Sequence, residues 1–291
     1  MTQSPTVQAF FDQATATVTY LVSDPATRMA AIVDPVLDYE PKAARISTVS
    51  ADAVLMAAAA KGLNVQWILE THAHADHLSA ADYLRHKLAA KVGIGAHIVD
   101  VQKAFKPLFN ATDVVPDGRV FDTLFKDGDE FRIGSLHGRA IHTPGHTPAC
   151  VTYVIGDAAF VGDTLFQPDY GTARTDFPGG DAATLYRSIR RILDLPPAMR
   201  VFTGHDYPPA GRTAPAWEST VAEQRAENVH IKEGTTEAAF VAMRTARDKT
   251  LAPPVLILPS LQVNIRGGAL PPADSDGNVY LRLPVNKLGK G

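Results

Sequence analysis

The sequence has one cysteine, Cys150, in 291 residues. A disulfide framework within the chain is therefore excluded, which fits a reducing compartment. No charge sign is in large excess. Lys and Arg number 28 against 31 Asp and Glu, a formal net charge of −3. Such a surface has no overall field to gather nucleic acid or an anionic membrane, so neither is expected as a partner. No apolar stretch approaches the roughly 20 residues needed to span a bilayer. The alanine run Ala57–Ala60 is helix-forming. Met1–Pro5 shows no basic segment followed by an apolar run, so no signal peptide is expected, and the expected compartment is the cytoplasm. What remains is an ordinary globular balance, with 45% hydrophobic and 20% charged residues. The length admits two domains, but large sandwich folds run to about 250 residues as one unit. A single domain over residues 1–291 is expected, with an extended carboxy-terminal tail packed on it from about residue 259.

The first half reads as strands followed by alternating helices and strands. Thr15–Val22 and Met29–Val33 flank an Asp-Pro turn and suggest a hairpin. Ala51–Lys61 is a helix with Gly62 as its stop. Val65–Leu69 has a buried-strand pattern, and Ser79 is a candidate N-cap for a helix through Leu88. Further on, Phe131–Ile133 with Arg139–His142, and Val151–Ile155 with Ala159–Val161, read as strand pairs. Asp181 caps a helix over Ala182–Leu193, and Arg200–Thr203 is a short strand. Helices are expected over Trp217–Asn228 and Thr236–Ala252. From Pro259 the Pro and Gly content points to an extended tail. Polar clusters follow four of the short apolar strands, which would place them on one rim of a sheet.

The densest cluster is Thr71-His72-Ala73-His74-Ala75-Asp76-His77. Three imidazoles and a carboxylate in six residues suit a transition metal, and the intervening alanines leave room for an ion. A solvated polar loop is the bland alternative. In His142-Thr143-Pro144-Gly145-His146-Thr147 a Pro-Gly turn presents His146, while His142 reads as a packed strand-end residue. Gly162-Asp163-Thr164 places a carboxylate after a buried strand. Desolvating it without a partner is costly, so it is either a metal donor or an N-cap. Gly204-His205-Asp206-Tyr207 follows, its glycine suggesting a special backbone angle or a close approach. His205 alone is a ligand or a packed histidine. Cys150 reads as a buried, inert thiol. His86, His97, His137 and His230 show no ligand spacing.

The order His-x-His-x-Asp-His, then His, Asp and His resembles the metallo-β-lactamase superfamily, over about Thr15 to Tyr207. The resemblance implies a four-layer αββα sandwich of mixed α/β (α+β) class, with metal at the rim where the loops meet. In its dinuclear members His72, His74 and His146 would hold one ion and Asp76, His77 and His205 the other, with Asp163 between them. Within the superfamily, Thr143–Tyr153, Ala173-Arg174-Thr175-Asp176-Phe177 and His205-Asp206-Tyr207 are similar to persulfide dioxygenases, especially the bacterial β-lactamase hydrolase-like branch.

That resemblance implies one Fe(II) held by His72, His146 and Asp163, with open positions left for substrate. His74, Asp76, His77 and His205 would then orient ligands and waters. It implies glutathione persulfide and O₂ as substrates, sulfite and glutathione as products, a role in sulfide detoxification, and a homodimer. Arg174 matches the family's motif arginine, to pair with a glutathione carboxylate or to hold Asp176. Tyr207 is implied as a donor to bound sulfur or oxygen, or as a packing residue. No catalytic group is implied beyond the metal site. One alternative is a dinuclear thioester hydrolase of the glyoxalase II type, with zinc. Those enzymes usually carry Glu where this chain has Asp206. A non-catalytic metal-binding or sensor module is the other.

Overall fold

The computed structural model describes residues 4–288. Met1–Gln3, part of the segment searched for a signal peptide, and residues 289–291 of the expected tail lie outside the described residues. Along the chain come β1 (Thr6–Asp12), β2 (Thr17–Ser23), β3 (Met29–Val33), β4 (Val36–Glu40) and β5 (Arg45–Ser47). Next are α1 (Val49–Ala60), β6 (Asn64–Leu69), β7 (Leu78–Ser79), α2 (Ala81–Leu88), β8 (Lys91–Gly95), α3 (Ile98–Leu108) and β9 (Thr123–Phe125). The second half has β10 (Glu130–Ile133), β11 (Leu136–His142), β12 (Val151–Ile155), β13 (Ala158–Gly162), α4 (Ala182–Leu193), β14 (Arg200–Thr203) and β15 (Glu218–Thr220). It ends with α5 (Val221–Glu227), α6 (Glu237–Asp248) and α7 (Ile257–Asn264).

Two six-stranded sheets result, in the orders β1-β2-β3-β6-β8-β9 and β10-β11-β12-β13-β14-β15, with a small sheet β5-β4-β7 beside them. Alternation along the strands sorts side chains into layers. Tyr20, Val22, Ala31 and Val33 face inward and meet Tyr153, Phe160 and Phe202 of the second sheet. The intervening Leu21, Ala30 and Ile32 face outward and pack under α1, α2, α3 and α7. Ala159, Val161 and Val201 face the other way and pack under α4, α5 and α6. The layers are therefore helix, sheet, sheet, helix, as the resemblance implied.

The hairpin forms as β2 and β3, with β1 added at its edge. Three expectations are corrected. Trp217–Asn228 is not one helix. Residues 218–220 pair antiparallel with β14, and Thr220 starts α5 with a capping box to Glu223, because a Thr with Glu three residues on satisfies two orphan amides at once. Ser79 is not a helix N-cap but a strand residue whose hydroxyl accepts from the Ala81 amide at 3.0 Å. The stretch from Pro259 is not wholly extended, since Ile257–Asn264 is helical. Pro259 stands in its first turn, where a missing N–H costs no intrahelical bond. Beyond Ala269 the described residues have turns but no regular element.

Parallel pairing of β3 with β6 and of β13 with β14 aligns their carboxyl ends. A backbone bond from Val18 N to Gly204 O at 2.8 Å joins the two sheets there. The rim anticipated from the polar clusters is therefore real, and it gathers residues from both sheets.

Candidate metal centre

β6 ends in Glu70-Thr71-His72, and His74, Asp76 and His77 follow on an irregular loop. His146 stands on the turn between β11 and β12, Asp163 just after β13 and His205 just after β14. All six candidate donors, with Asp163, meet at one rim. Asp163 Oδ2 lies 3.8 Å from His72 Nε2 and 3.7 Å from His146 Nε2. Atoms bound to one ion at roughly 2.1 Å cannot be more than about 4.2 Å apart, so this spacing fits a shared ion. His74, Asp76 and His77 form a second possible group.

The tautomers of the first group are set by its surroundings. The Thr71 hydroxyl donates to Asp34 Oδ2 at 2.8 Å, so its oxygen is free to accept from His72 Nδ1 at 3.0 Å. His146 Nδ1 donates to the Arg174 carbonyl at 2.8 Å. Each ring thus turns an unprotonated Nε2 toward Asp163, the usual arrangement around a metal-binding histidine. Burial, then the neighbouring His74 and His146, pushes the His72 imidazole well below its ordinary pKa. It is neutral and available as a donor.

Three buried ring nitrogens, His72 Nε2, His74 Nδ1 and His77 Nε2, have no hydrogen-bond partner. Burying such atoms unsatisfied is costly. A cation accepting the lone pairs of His72 and His77, and that of His74 once its Nδ1 proton is displaced, resolves the cost, so the donor set fits a metal ion.

His205 is placed differently. Its Nδ1 donates to Asp163 Oδ1 at 2.6 Å and its Nε2 contacts Asp76 Oδ2. Burial alone would lower its pKa, but Asp163 and Asp76 outweigh burial and push it up to about 10. His205 is thus an imidazolium bridging two carboxylates. His74 likewise directs Nε2 to Asp34 at 3.0 Å and Glu70 at 3.3 Å. Burial opposes its protonation, yet the Asp34 and Glu70 carboxylates raise it well above the ordinary value. The glycine before His205 serves a close approach: a Cβ at Gly204 would lie 2.7 Å from Asp163 Oδ1.

Arg174 chelates Asp176 at 2.5 and 2.7 Å and donates to the Ala252 carbonyl. Of the two roles expected for it, holding Asp176 is present. Tyr207 stacks on His205 with rings 3° apart and centroids 5.7 Å apart. Burial, then Asp76 and Asp163, raises its hydroxyl pKa, so the phenol stays protonated. His142 bonds the Pro148 carbonyl and stacks on His97, outside the donor cluster. Cys150 is buried, and burial pushes its thiol up to about 12, as expected of an inert cysteine.

Sequence reasoning missed Asp34, Arg247 and Asn264. Asp34 ends an apolar strand, the same signal that singled out Asp163. Arg247 lines a cavity of about 470 Å³ that also contains His146, Asp163, Arg174 and Tyr207. Its guanidinium sits 5.9 Å from the Tyr170 ring centroid, with no carboxylate in salt-bridge reach among the described residues. Only the fold brings Arg247 there, from α6.

The profile described as "Metallo-beta-lactamase superfamily" matches residues 13–205. A relative from Burkholderia pseudomallei, named "Probable metallo-hydrolase", is 54% identical, over 97% of this chain and 100% of its own length. A "Beta-lactamase hydrolase-like protein" of Agrobacterium fabrum is 55% identical over 98% of this chain, which spans only 65% of that protein. "Glyoxylase B2" of Dictyostelium discoideum is 47% identical over 99% of both chains. Human "Persulfide dioxygenase ETHE1, mitochondrial" is 32% identical over 77% of this chain and 75% of its own. Among solved structures, ETHE1 from Myxococcus xanthus superposes with a TM-score of 0.72 at 30% identity, covering 91% of this chain and all of that one. The fold agrees with these matches, and the chain belongs to the metallo-beta-lactamase superfamily, a family of enzymes.

Proposed function

We propose that the chain is a mononuclear non-haem Fe(II) dioxygenase that oxidises glutathione persulfide with O₂ to sulfite and glutathione. The observation that carries this reading is the division among the donors. His72, His146 and Asp163 face one another with free donor atoms, whereas His205 has both ring nitrogens engaged by carboxylates. Two imidazoles and one carboxylate with remaining positions open are the facial set of non-haem iron oxygenases. Iron held there would supply the electron transfer to O₂ that redox-inert zinc does not. The 32% identity to a persulfide dioxygenase supports the same reading.

The chain's own residues would bind and orient the substrate. The Arg247 guanidinium, which lines the same cavity as Arg174, would receive a glutathione carboxylate at the cavity wall. The protonated Tyr207 hydroxyl would donate to the sulfur or oxygen of the substrate. Asp34 and Thr71 keep His72 in the tautomer a metal requires. Arg247→Gln is expected to raise KM for glutathione persulfide about tenfold or more, roughly what one charge-assisted hydrogen bond contributes, with kcat nearly unchanged. Steady-state kinetics with an unaltered KM would remove Arg247 from the substrate site.

A second reading, a dinuclear thioester hydrolase, is favoured by the His74, Asp76, His77 group with its two unpartnered ring nitrogens and by the 47% identical "Glyoxylase B2". Metal analysis of anaerobically purified protein, combined with O₂ uptake on glutathione persulfide, decides between them. One iron per chain with rapid uptake is the expected result. Two zinc ions, no uptake and cleavage of S-lactoylglutathione would establish the hydrolase.

A further inference from the structure

The loop that supplies His72, His74, Asp76 and His77 has no regular secondary structure, so its backbone must find partners elsewhere. It finds them 190 residues away in sequence. The side-chain amide of Asn264, at the carboxyl end of α7, donates to the His74 carbonyl at 2.8 Å and to the His77 carbonyl at 2.9 Å. Its Oδ1 accepts from the Ser79 amide at 2.8 Å. Both amide hydrogens are used, and the residue is only 4% exposed. Through Ser79 the contact extends further, because the Ser79 hydroxyl donates to Glu70, whose other carboxylate oxygen faces His74 Nε2.

α7 is itself fixed in place. Leu261, Val263 and Ile265 are fully buried. Gln102 donates to the Ile265 carbonyl at 2.9 Å, and Arg266 pairs with Asp113 at 2.7 Å. The turn after α7 lies against the start of α2. Gly268, at φ +89°, has no room for a Cβ, which would lie 2.8 Å from the Asp82 amide nitrogen. The superfamily profile ends at residue 205, so this clamp lies outside the part of the chain that the profile describes.

We propose that Asn264 is a positioning residue for the metal centre: it fixes the backbone of the 72–77 loop and thereby slows release of the bound ion. The inference rests on the site binding a metal, not on which reaction the metal serves. Groups that hold metal-binding residues in place commonly contribute about 10- to 100-fold to metal affinity. Leucine is close to asparagine in size and keeps the packing of α7 while deleting all three hydrogen bonds.

The test loads wild-type and variant proteins with Co(II) and follows its loss to excess EDTA, together with the visible cobalt absorption spectrum. Asn264→Leu is expected to release cobalt about tenfold faster or more and to shift the absorption bands. Asn264→Asp, which keeps the acceptor for the Ser79 amide but sets a carboxylate oxygen against two carbonyls, is expected to do the same, and it is the variant read if the leucine form does not fold. Leu261→Ala weakens the packing of the same helix without touching the loop carbonyls. It should lower the melting temperature yet leave the release rate within about twofold of wild type. Wild-type release rates in both Asn264 variants would overturn the inference. So would Leu261→Ala matching Asn264→Leu in both release and spectrum, because the effect would then follow helix stability alone. A wild-type chain that retains no cobalt, zinc or iron would overturn the metal site and this inference together.

Discussion

Replacing His72 by alanine is expected to abolish metal retention and activity together. Its Nε2 is a buried lone pair without a partner, one of the three donor atoms that face one another across about 4 Å. With it gone, His146 and Asp163 are left as a two-donor site. Losing a group that only orients a ligand costs about 10- to 100-fold in affinity, so loss of a ligand should exceed that. Metal content and turnover, measured on the same preparation, check the expectation. A variant with a full complement of metal and full turnover would remove His72 from the ligand set. The deletion takes away an unsatisfied buried nitrogen, so the metal-free variant should melt within a few degrees of the metal-free wild type, about 1 kcal/mol in stability. That comparison separates loss of metal from loss of fold.

The second large effect is expected at Asp34. Its carboxylate accepts from the Thr71 amide at 2.7 Å, the Thr71 hydroxyl at 2.8 Å and His74 Nε2 at 3.0 Å, and it is 1% exposed. Asp34→Ala strips three buried donors of their acceptor and leaves the buried His74 ring with only Glu70 beside it. Breaking a buried pair in this way costs about 3–5 kcal/mol, on the order of 10 °C in melting temperature for a chain of this size. It should also weaken metal binding, since the Thr71 hydroxyl no longer has a fixed direction and the His72 tautomer is released. Thermal melts of the metal-free protein, alone and with added metal, check both effects. An unchanged melting temperature would show that the Asp34 network contributes nothing.

The same pair predicts how the metal-free protein responds to pH. Burial alone would raise the Asp34 carboxyl, but the charge and hydrogen bond of His74 outweigh it and hold the pKa below the ordinary carboxylate value. A depressed carboxylate contributes stability that is complete above its unfolded pKa and lost as pH falls through the folded one. His74 is raised, so its contribution is complete below the ordinary imidazole value and lost as pH rises through its folded pKa. In Asp34→Ala the acid limb of a melting temperature–pH profile should flatten, and the alkaline limb should move to lower pH.

Much of this molecule is legible in one dimension because its signals are local. The nearly continuous apolar runs in Thr17–Ser23 and Met29–Val33 suit strands buried on both faces, and the Asp-Pro turn between them favours pairing them as a hairpin. His72, His74, Asp76 and His77 stand within six residues, and Pro144-Gly145 turns the chain just before His146. These arrangements hold wherever the rest of the chain goes. The misread elements were decided by competition between local preference and tertiary partners. Residues 218–220 gain strand hydrogen bonds from β14 that a helix would forgo. Ile257–Asn264 packs on β7 and buries Leu261 and Val263 in the core under the first layer of helices, which outweighs a Pro and Gly content suggesting extended chain.

By itself the sequence determined most strands and helices, the rim on which the histidines lie and the donor types available for a metal, while the layer pattern came from the family resemblance. Tertiary structure alone decided which donor atoms are free. The His205 side chain has the same chemistry as those of His72 and His146. Only its placement between Asp163 and Asp76 makes it a cation and a bridge. Arg247 in the cavity and Asn264 behind the metal loop are likewise set by helices far along the chain. Charge state and hydrogen-bond direction depend on neighbours a few ångströms away, and in a sandwich built from two sheets those neighbours come from segments more than a hundred residues apart.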